Sequence, residues 1–395
     1  NNHYVSDIVG LLYLGAFFST NSKGRKILKF AKREYIKETL VEVLSSGINY
    51  EKSVSYHRLM TELLVYSRCL LVRIGEELPK EVDERLARML EYVGHYSVNS
   101  SSPIVGDNDN GRLLPFVPRN FKNHTYLIDS NSLEWKVVNN GIEPLAINSV
   151  FTDSKVFTDA NVAILKKGSK YVFVGCCSRW KFDKETDKFS GTHLHNDLLS
   201  FIYCDNGKEI IVDPGAYCYT SDLRRRNEFR STKKHNTIMV DDEEQNFLDT
   251  SSAFGMKYNN REKPLILSDD GNVCCLGEYE TINGKMLHQR TFRLDGGEFE
   301  ITDTISKRGK EHTLYMSFHF AKNVEAWLKG KDVDLKIGSK HYRMCIESST
   351  QFSLSLIDDT ISPSFGVLED SNTLIVQALF NECISIKTKI IDYEY

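Results

Sequence analysis

The run Phe201-Ile202-Tyr203-Cys204-Asp205-Asn206-Gly207-Lys208-Glu209-Ile210-Ile211-Val212 decides the fold class of the longer part of this chain. Two apolar runs, Phe201 to Cys204 and Ile210 to Val212, flank Asp205-Asn206-Gly207. Asn-Gly supplies positive φ angles at little steric cost, so the run reads as an antiparallel hairpin. A second hairpin is expected upstream, where Ala163 to Leu165 and Tyr171 to Cys176 flank Lys167-Gly168-Ser169. Downstream, strands are expected at Thr237 to Val240, Thr291 to Leu294, Phe299 to Ile301, Leu314 to Phe320, Tyr342 to Ile346, Phe352 to Leu356 and Leu374 to Leu379. That is too many for one open sheet, so residues 151–395 are expected to form an antiparallel β-sandwich.

Before about Phe151 the period is helical. Lys23 to Leu44 carries apolar residues at Ile27, Leu28, Ala31, Ile36, Leu40 and Val43, close to helical spacing. His57 to Ile74 does the same through Leu59, Leu63, Leu64, Cys69, Leu70 and Leu71. Pro79 followed by Glu81, Asp83 and Glu84 marks the start of a third helix, with Leu86, Met89, Leu90 and Val93 as its stripe. From Ser97 to Asn148 the pattern lapses, and the run Asp107-Asn108-Asp109-Asn110-Gly111 marks a long polar loop. The expected fold is α+β: a helical domain over residues 1–150, with a polar linker from about residue 97, then the sandwich.

Composition sets outer limits. A chain of 395 residues exceeds one ordinary core, and 41% hydrophobic with 26% charged residues is a globular balance. Fifty Lys+Arg against 54 Asp+Glu leave a net charge of −4, which gives no general basic field for nucleic acid. The apolar stretch from Ile8 to Phe18 is too short to span a bilayer and is broken by Gly10 and Gly15, so no membrane insertion is expected. It lacks the basic start and cleavage site of a signal peptide. The chain opens on Asn1 rather than Met, as expected of a processed form or a fragment. Nine cysteines, odd in number and without CxxC spacing, are expected to be buried thiols rather than a disulfide framework.

The densest polar constellation runs from Gly191 to Asp242. On a strand, His193 and His195 would share one face, and two imidazoles with a carboxylate make a three-ligand set for Zn²⁺. Strict register about Asn206-Gly207 puts Asp213 opposite Ser200. A bulge or turn must therefore intervene if Asp213 is the carboxylate, and Asp197 is its rival. Asp107 to Asp109 lacks the ligand spacing of an EF-hand, so a solvated loop is expected there rather than a Ca²⁺ site. Arg224, Arg225, Arg226, Arg230, Lys233 and Lys234 form the one sharply basic segment, either a solvated face or a site for an anionic ligand.

These motifs together resemble the heparinase II/III-like polysaccharide lyases. His193-Leu194-His195-Asn196-Asp197-Leu198-Leu199-Ser200-Phe201 is similar to that family's HGHADxLSF, and Val212-Asp213-Pro214-Gly215-Ala216-Tyr217-Cys218-Tyr219 to its VDPGTYSY. Phe229-Arg230-Ser231-Thr232 with His235-Asn236-Thr237 resembles its FRSTxxHNT. Asn1-Asn2-His3 resembles its NNH, Glu51 to Arg58 its FERSxSYHR, and Gly106 to Arg112 its GDSDDGR. Leu194 and Asn196 depart from the small residues usual at those places. The resemblance implies an incomplete α/α toroid of helical hairpins on an antiparallel β-sandwich, the active site at their junction, with earlier helices of the toroid missing from this chain.

It also implies β-elimination on a uronate-containing acidic polysaccharide or oligosaccharide. Asn2 and His3 would neutralise the uronate carboxylate, Tyr56 would be general acid and His193 the partner base or charge stabiliser. Tyr217 or Tyr219 would add a second phenol. Arg230, with Glu51 and His57, would bind substrate. His195, Asp213 and His235 would hold a structural Zn²⁺. Two rivals share the same residues: a uronyl C5-epimerase and a non-catalytic glycan-binding or assembly protein. Family members are mostly bacterial and exported, which suggests a periplasmic or secreted setting, although unpaired cysteines suit a reducing compartment equally well.

Overall fold

The computed structural model describes every residue except 100, 119–121, 148–149, 178–180, 184–187, 191–192 and 394–395, with backbone alone at 181–183 and 188–190. Gly191 and Thr192, which open the histidine motif, and Asn148 therefore lie outside the described residues. The chain divides into two compact units, residues 1–102 with 109–151, and residues 103–108 with 152–395. The hexapeptide 103–108, inside the polar loop, thus groups with the strands.

Four long helices build the first unit: α1 (Asn2–Phe17), α2 (Ser22–Glu42), α3 (Val54–Arg73) and α4 (Lys80–Tyr96). Each of the first three is capped by a side chain that the sequence places just before it. Asn1, Asn21 and Ser53 accept from the backbone N–H of Tyr4, Gly24 and Tyr56 respectively, which relieves donors a helix start otherwise leaves unmet. Pro79 takes the fourth N-cap position, at the helix start expected there. α3 is buried on most of its circumference, Arg58 and Glu62 included, because α1 and α4 both pack on it. A short α5 (Leu133–Val138) follows the loop. No helix among the described residues is long and apolar enough to cross a membrane.

In the second unit every described strand pairing is antiparallel. A five-stranded, a nine-stranded and a four-stranded sheet are present. Strict alternation of buried and half-buried residues along Glu298–Lys307 shows why: one face of each strand enters the core. Phe201 of the first sheet, Phe292 and Phe299 of the second and Phe318 of the third meet with ring centroids 5.6–6.4 Å apart. One shared core between sheets is the mark of a sandwich. The α+β expectation thus holds: a helical part followed by a sandwich.

The hairpin about Asn206-Gly207 joins Ser200–Asp205 to Lys208–Ile211, with both turn residues at positive φ (51° and 69°). Its register slips between Tyr203 and Cys204, which is the irregularity that strict pairing required. The chain then leaves this sheet, Val212 N donating to His319 O. That departure is what carries Asp213 away from its strict-register partner. All nine cysteines are free thiols, Cys383 exposed and six buried.

Candidate active site

In the helical unit the expected site residues gather at one end. Tyr13 near the end of α1 and Tyr66 and Cys69 near the end of α3 line one cavity of about 150 Å³. Asn2, His3 and Tyr56 lie in the first turns of α1 and α3, and contacts link those turns: the Asn1 ammonium pairs with Glu42, whose carbonyl accepts from Tyr50 N at 2.9 Å, and Asn49 N donates to His57 Nδ1 at 3.2 Å. Asn2 and Tyr56 are buried and His3 is exposed. The Tyr56 hydroxyl lies 3.5 Å from Asp109 Oδ2, a long hydrogen bond. Asp109 is fixed for that contact: its Oδ1 accepts from Gly111 N at 2.7 Å, and its carbonyl accepts from Ser55 Oγ (2.7 Å) and Arg58 Nη2 (3.2 Å).

His57 holds a different post from the substrate-binding one expected of it. His57 is fully buried, accepts from Asn49 N through Nδ1 (3.2 Å) and faces the carbonyl of Met89 through Nε2 (3.1 Å). Burial lowers its pKa to about 4, so it is a neutral core brace. Glu51 is buried, 3% exposed.

In the strand-rich unit the centre is Asp107. Its Oδ2 lies 2.8 Å from His193 Nδ1 and its Oδ1 2.9 Å from His195 Nε2. Arg226 grips both oxygens, Nη2 at 2.9 Å from Oδ2 and Nη1 on Oδ1. Asp107 N also donates to His193 O at 2.9 Å. The two histidines are not on a strand; they lie in irregular backbone before Ser200. They converge because both reach one carboxylate. Burial alone would raise the Asp107 pKa, but Arg226 and the two imidazoles hold it well below the carboxylate range. Burial lowers His195 to about 4 against the opposing pull of Asp107. The expected solvated loop is therefore corrected at this residue: Asp107 is completely buried, and a carboxylate so buried needs charged partners.

The basic segment is likewise corrected. Arg226 and Arg230 are both fully buried, on one face of the helix α6 (Leu223–Phe229) and its C-cap. Arg230 donates to Asn227 Oδ1, Asp249 O and Ser252 O at 2.8–3.0 Å, so it ties α6 to the next turn rather than facing a sugar. Lys233 pairs with Asp242, and Lys234 with Asp359. Asn196 donates to Glu244 Oε2 (2.6 Å) and Asn246 O (2.9 Å), and Leu194 is core.

The metal set is partly assembled. His235 Nδ1 lies 2.8 Å from Asp213 Oδ2, and Asp213 Oδ1 accepts from Gly215 N at 2.9 Å. The His195 and His235 ring centroids are 5.2 Å apart. Their remaining nitrogens, His195 Nδ1 and His235 Nε2, are buried without a hydrogen-bond partner among the described residues, which is costly and unusual. Two unpartnered imidazole nitrogens fit a metal. As placed, however, no three His, Cys, Asp or Glu side chains among the described residues stand together as a metal site. Burial raises Asp197 to about 7, with His235 lowering it and Asp213 raising it. A cavity of about 10 Å³, the size of one water, is lined by Val105, Asp197, Ser200 and Asp213 among others.

Of the two phenols, Tyr219 shares the ring neighbour Phe254 with His193, at 5.2 and 5.8 Å between centroids. Tyr217 turns to Phe229 (5.7 Å) and sits at φ +59°, an uncommon conformation for a tyrosine.

The family model described as heparinase II/III-like, C-terminal, matches residues 151–387. The chain belongs to that family. Its sequence is 22% identical over 335 residues to a curated heparin-sulfate lyase of Bacteroides stercoris, covering 80% of this chain and 45% of that protein. The chain thus spans about half the length of this curated relative. The fold of this heparinase II/III-like chain is similar to a solved heparinase III, with TM-score 0.78, 17% identity, and 100% of this chain and 60% of that one covered. It is also similar to a mutant heparan sulfate lyase of Pedobacter heparinus, with TM-score 0.76, 14% identity, and 100% and 60% covered.

Asp107, Arg226 and Arg290 hold structural posts that sequence reasoning missed. A signal for Arg226 was present: Arg226, Phe229 and Arg230 recur at helical spacing, so both arginines share the buried face with Phe229. Nothing local marks Asp107 apart from Asp109, since their partners lie 86 and 53 residues away. Arg290 was missed for the same reason. Fully buried and paired with Asp303, it donates to Leu199 O (2.8 Å) and Asn236 O (2.7 Å), bracing the His195 and His235 segments.

Proposed function

We propose that this chain acts as a polysaccharide lyase that cleaves a uronate-containing acidic polysaccharide by β-elimination. The observation that carries the reading is the Asp107 hub, which commits His193 Nδ1 to a buried carboxylate held by Arg226. A carboxylate behind one ring nitrogen fixes the tautomer and assigns proton transfer to the other.

The chemistry asks for three things. The C5 proton of a uronate is weakly acidic, because its carboxylate resists further negative charge. Asn2 and His3 would donate hydrogen bonds to that carboxylate, each contributing about 3–4 kcal/mol as charge develops. His193 takes the C5 proton, or stabilises the charge while a phenolate takes it. The electron pair left on C5 forms the C4–C5 double bond, the C4–O4 bond breaks, and Tyr56 gives its phenolic proton to O4. Asp109, within reach of the Tyr56 hydroxyl, orients it. Tyr219 supplies the second phenol.

In this reading His195, Asp213 and His235 hold a Zn²⁺ whose role is structural. The unpartnered nitrogens of His195 and His235 support it. Asp213, hydrogen-bonded to His235 Nδ1 at 2.8 Å, would turn its carboxylate from that nitrogen to the metal to complete the set.

Purified chain incubated with heparan sulfate, chondroitin sulfate, alginate and polygalacturonate tests the proposal. A new ultraviolet absorbance from an unsaturated uronate supports it. Solvent deuterium entering C5 without chain cleavage would instead make this an epimerase, and binding with neither would make it a glycan-binding protein.

A further inference from the structure

Three aromatic side chains from three separate segments of the strand-rich unit converge beside His193. Tyr219 closes the Asp213-Pro214-Gly215 loop, Phe254 lies in the turn after Ser252, and Phe365 sits at the tip of the hairpin Phe352–Ser364/Val367–Phe380. The Tyr219 ring centroid is 5.2 Å from that of Phe254 and 5.0 Å from that of Phe365, inclined at 61° and 64°. Phe254 in turn lies 5.8 Å from the His193 ring.

The cluster is held rigidly from two sides. Ser362 N donates to Pro214 O and Gly366 N to Tyr217 O, both at 2.7 Å, so the hairpin tip is stapled to the loop carrying Tyr219. Arg226 lies 5.1 Å from the Tyr219 ring and 5.6 Å from the Phe254 ring, and the same guanidinium holds Asp107, which holds His193. One buried ion pair therefore fixes both rings and the imidazole.

Phe365 is 40% exposed. Hairpin tips ordinarily carry Gly, Asn or Asp, and an aromatic there leaves apolar surface in water that neither the turn nor the core requires. The inclined contacts keep the three rings from stacking flat on one another, and with Arg226 over the Tyr219 and Phe254 rings, Phe365 is the most exposed of the three. Aromatic faces carry negative quadrupole charge that attracts weakly positive C–H groups, and a pyranose ring presents C–H groups on its apolar side. Because Arg226 is already neutralised by Asp107, the cluster offers ring faces rather than charge.

We propose that Tyr219, Phe254 and Phe365 form a stacking subsite for the sugar ring next to the uronate in an acidic oligosaccharide, which rests on the lyase reading of His193. Stacking is not screened by salt, whereas contacts between exposed charges are.

The test uses the full chain with hexasaccharides of heparan sulfate, chondroitin sulfate and alginate. In a Tyr56→Phe background, Phe365→Trp places an indole at the tip, and its emission is expected to change saturably with at least one hexasaccharide. Phe365→Ala is expected to weaken that binding about tenfold, the loss expected of one aromatic contact, equally at low and high salt. Phe365→Trp is expected to retain it. Binding of all three hexasaccharides to Phe365→Ala as tightly as to the parent overturns the subsite, as does a loss that disappears at high salt or the absence of any binding. Binding to Phe365→Trp, with wild-type chain making no unsaturated product, keeps the subsite and removes the lyase reading. Product formed by Phe365→Ala at wild-type KM does the reverse.

Discussion

Replacing Asp107 with Asn is the sharpest perturbation of the hub. Asp107, Arg226 and His195 are each at most 1% exposed, so the substitution leaves the Arg226 charge buried against a neutral amide. Breaking a buried ion pair by removing one partner costs about 3–5 kcal/mol. The amide also cannot accept from Arg226, His193 and His195 at once, since only its oxygen accepts. Guanidinium unfolding of the purified chain, followed by β-sheet circular dichroism, should show Asp107→Asn less stable by about that amount. Arg226→Met should be destabilising as well, because it strips the carboxylate of its counter-charge. The double variant should lose at least about 2 kcal/mol less than the two single losses combined, since each side chain is costly chiefly without the other. In the proposed lyase, Asp107→Asn should also slow turnover by about 10²–10⁴-fold, the range of losing an imidazole's orienting carboxylate. Additive losses, or a single variant within about 1 kcal/mol of wild type, would refute the hub.

Four further outcomes follow from particular residues. His57 stays neutral in the fold down to about pH 4, whereas the unfolded imidazole protonates below about 6.5. The unfolded state takes up the proton first, so about 3 kcal/mol of stability present above pH 6.5 should be lost as pH falls toward 4, a slope that His57→Gln should flatten in acid melts. Arg230→Ala should destabilise the chain without making KM more salt-sensitive, because its guanidinium holds backbone carbonyls; a shift in the salt dependence of KM would restore it as a sugar contact. Gly215→Ala should cost on the order of 1–3 kcal/mol, since Gly215 lies at φ +83° and a Cβ would come 2.3 Å from Ser362 O; an unchanged melting temperature would refute the docking of the hairpin tip. Elemental analysis of the purified chain should find about one zinc per molecule, and a chelator should lower the melting temperature of wild type but not of His235→Ala; no metal and no chelator effect would remove zinc from the account.

The sandwich was legible because its signals are local. Alternation along Glu298–Lys307 and the Asn206-Gly207 turn need only neighbouring residues to be read. The helical part was legible for the same reason, through the apolar stripes on α3 and α4, although α3 starts at Val54, three residues before the His57 expected. The hub was not, because Asp107 is buried by partners 86 to 119 residues away. Charge misled for a related reason. Arg226 and Arg230 read as part of a solvated face or an anion site, yet helical spacing turned them inward with Phe229, where Asp107 and backbone carbonyls met their donors. His57 follows Tyr56 directly in a motif that resembles catalytic sequence, yet successive helix residues point about 100° apart, and the His57 ring is turned into the core against Met89 O.

The central claim is tested most directly by the initial rate of unsaturated-uronate formation on the preferred polysaccharide, compared among wild type, Tyr56→Phe and His193→Ala. The account predicts an ultraviolet-absorbing product from wild type and a rate at least about 10²-fold lower in each variant. A fully active Tyr56→Phe or His193→Ala chain would contradict it.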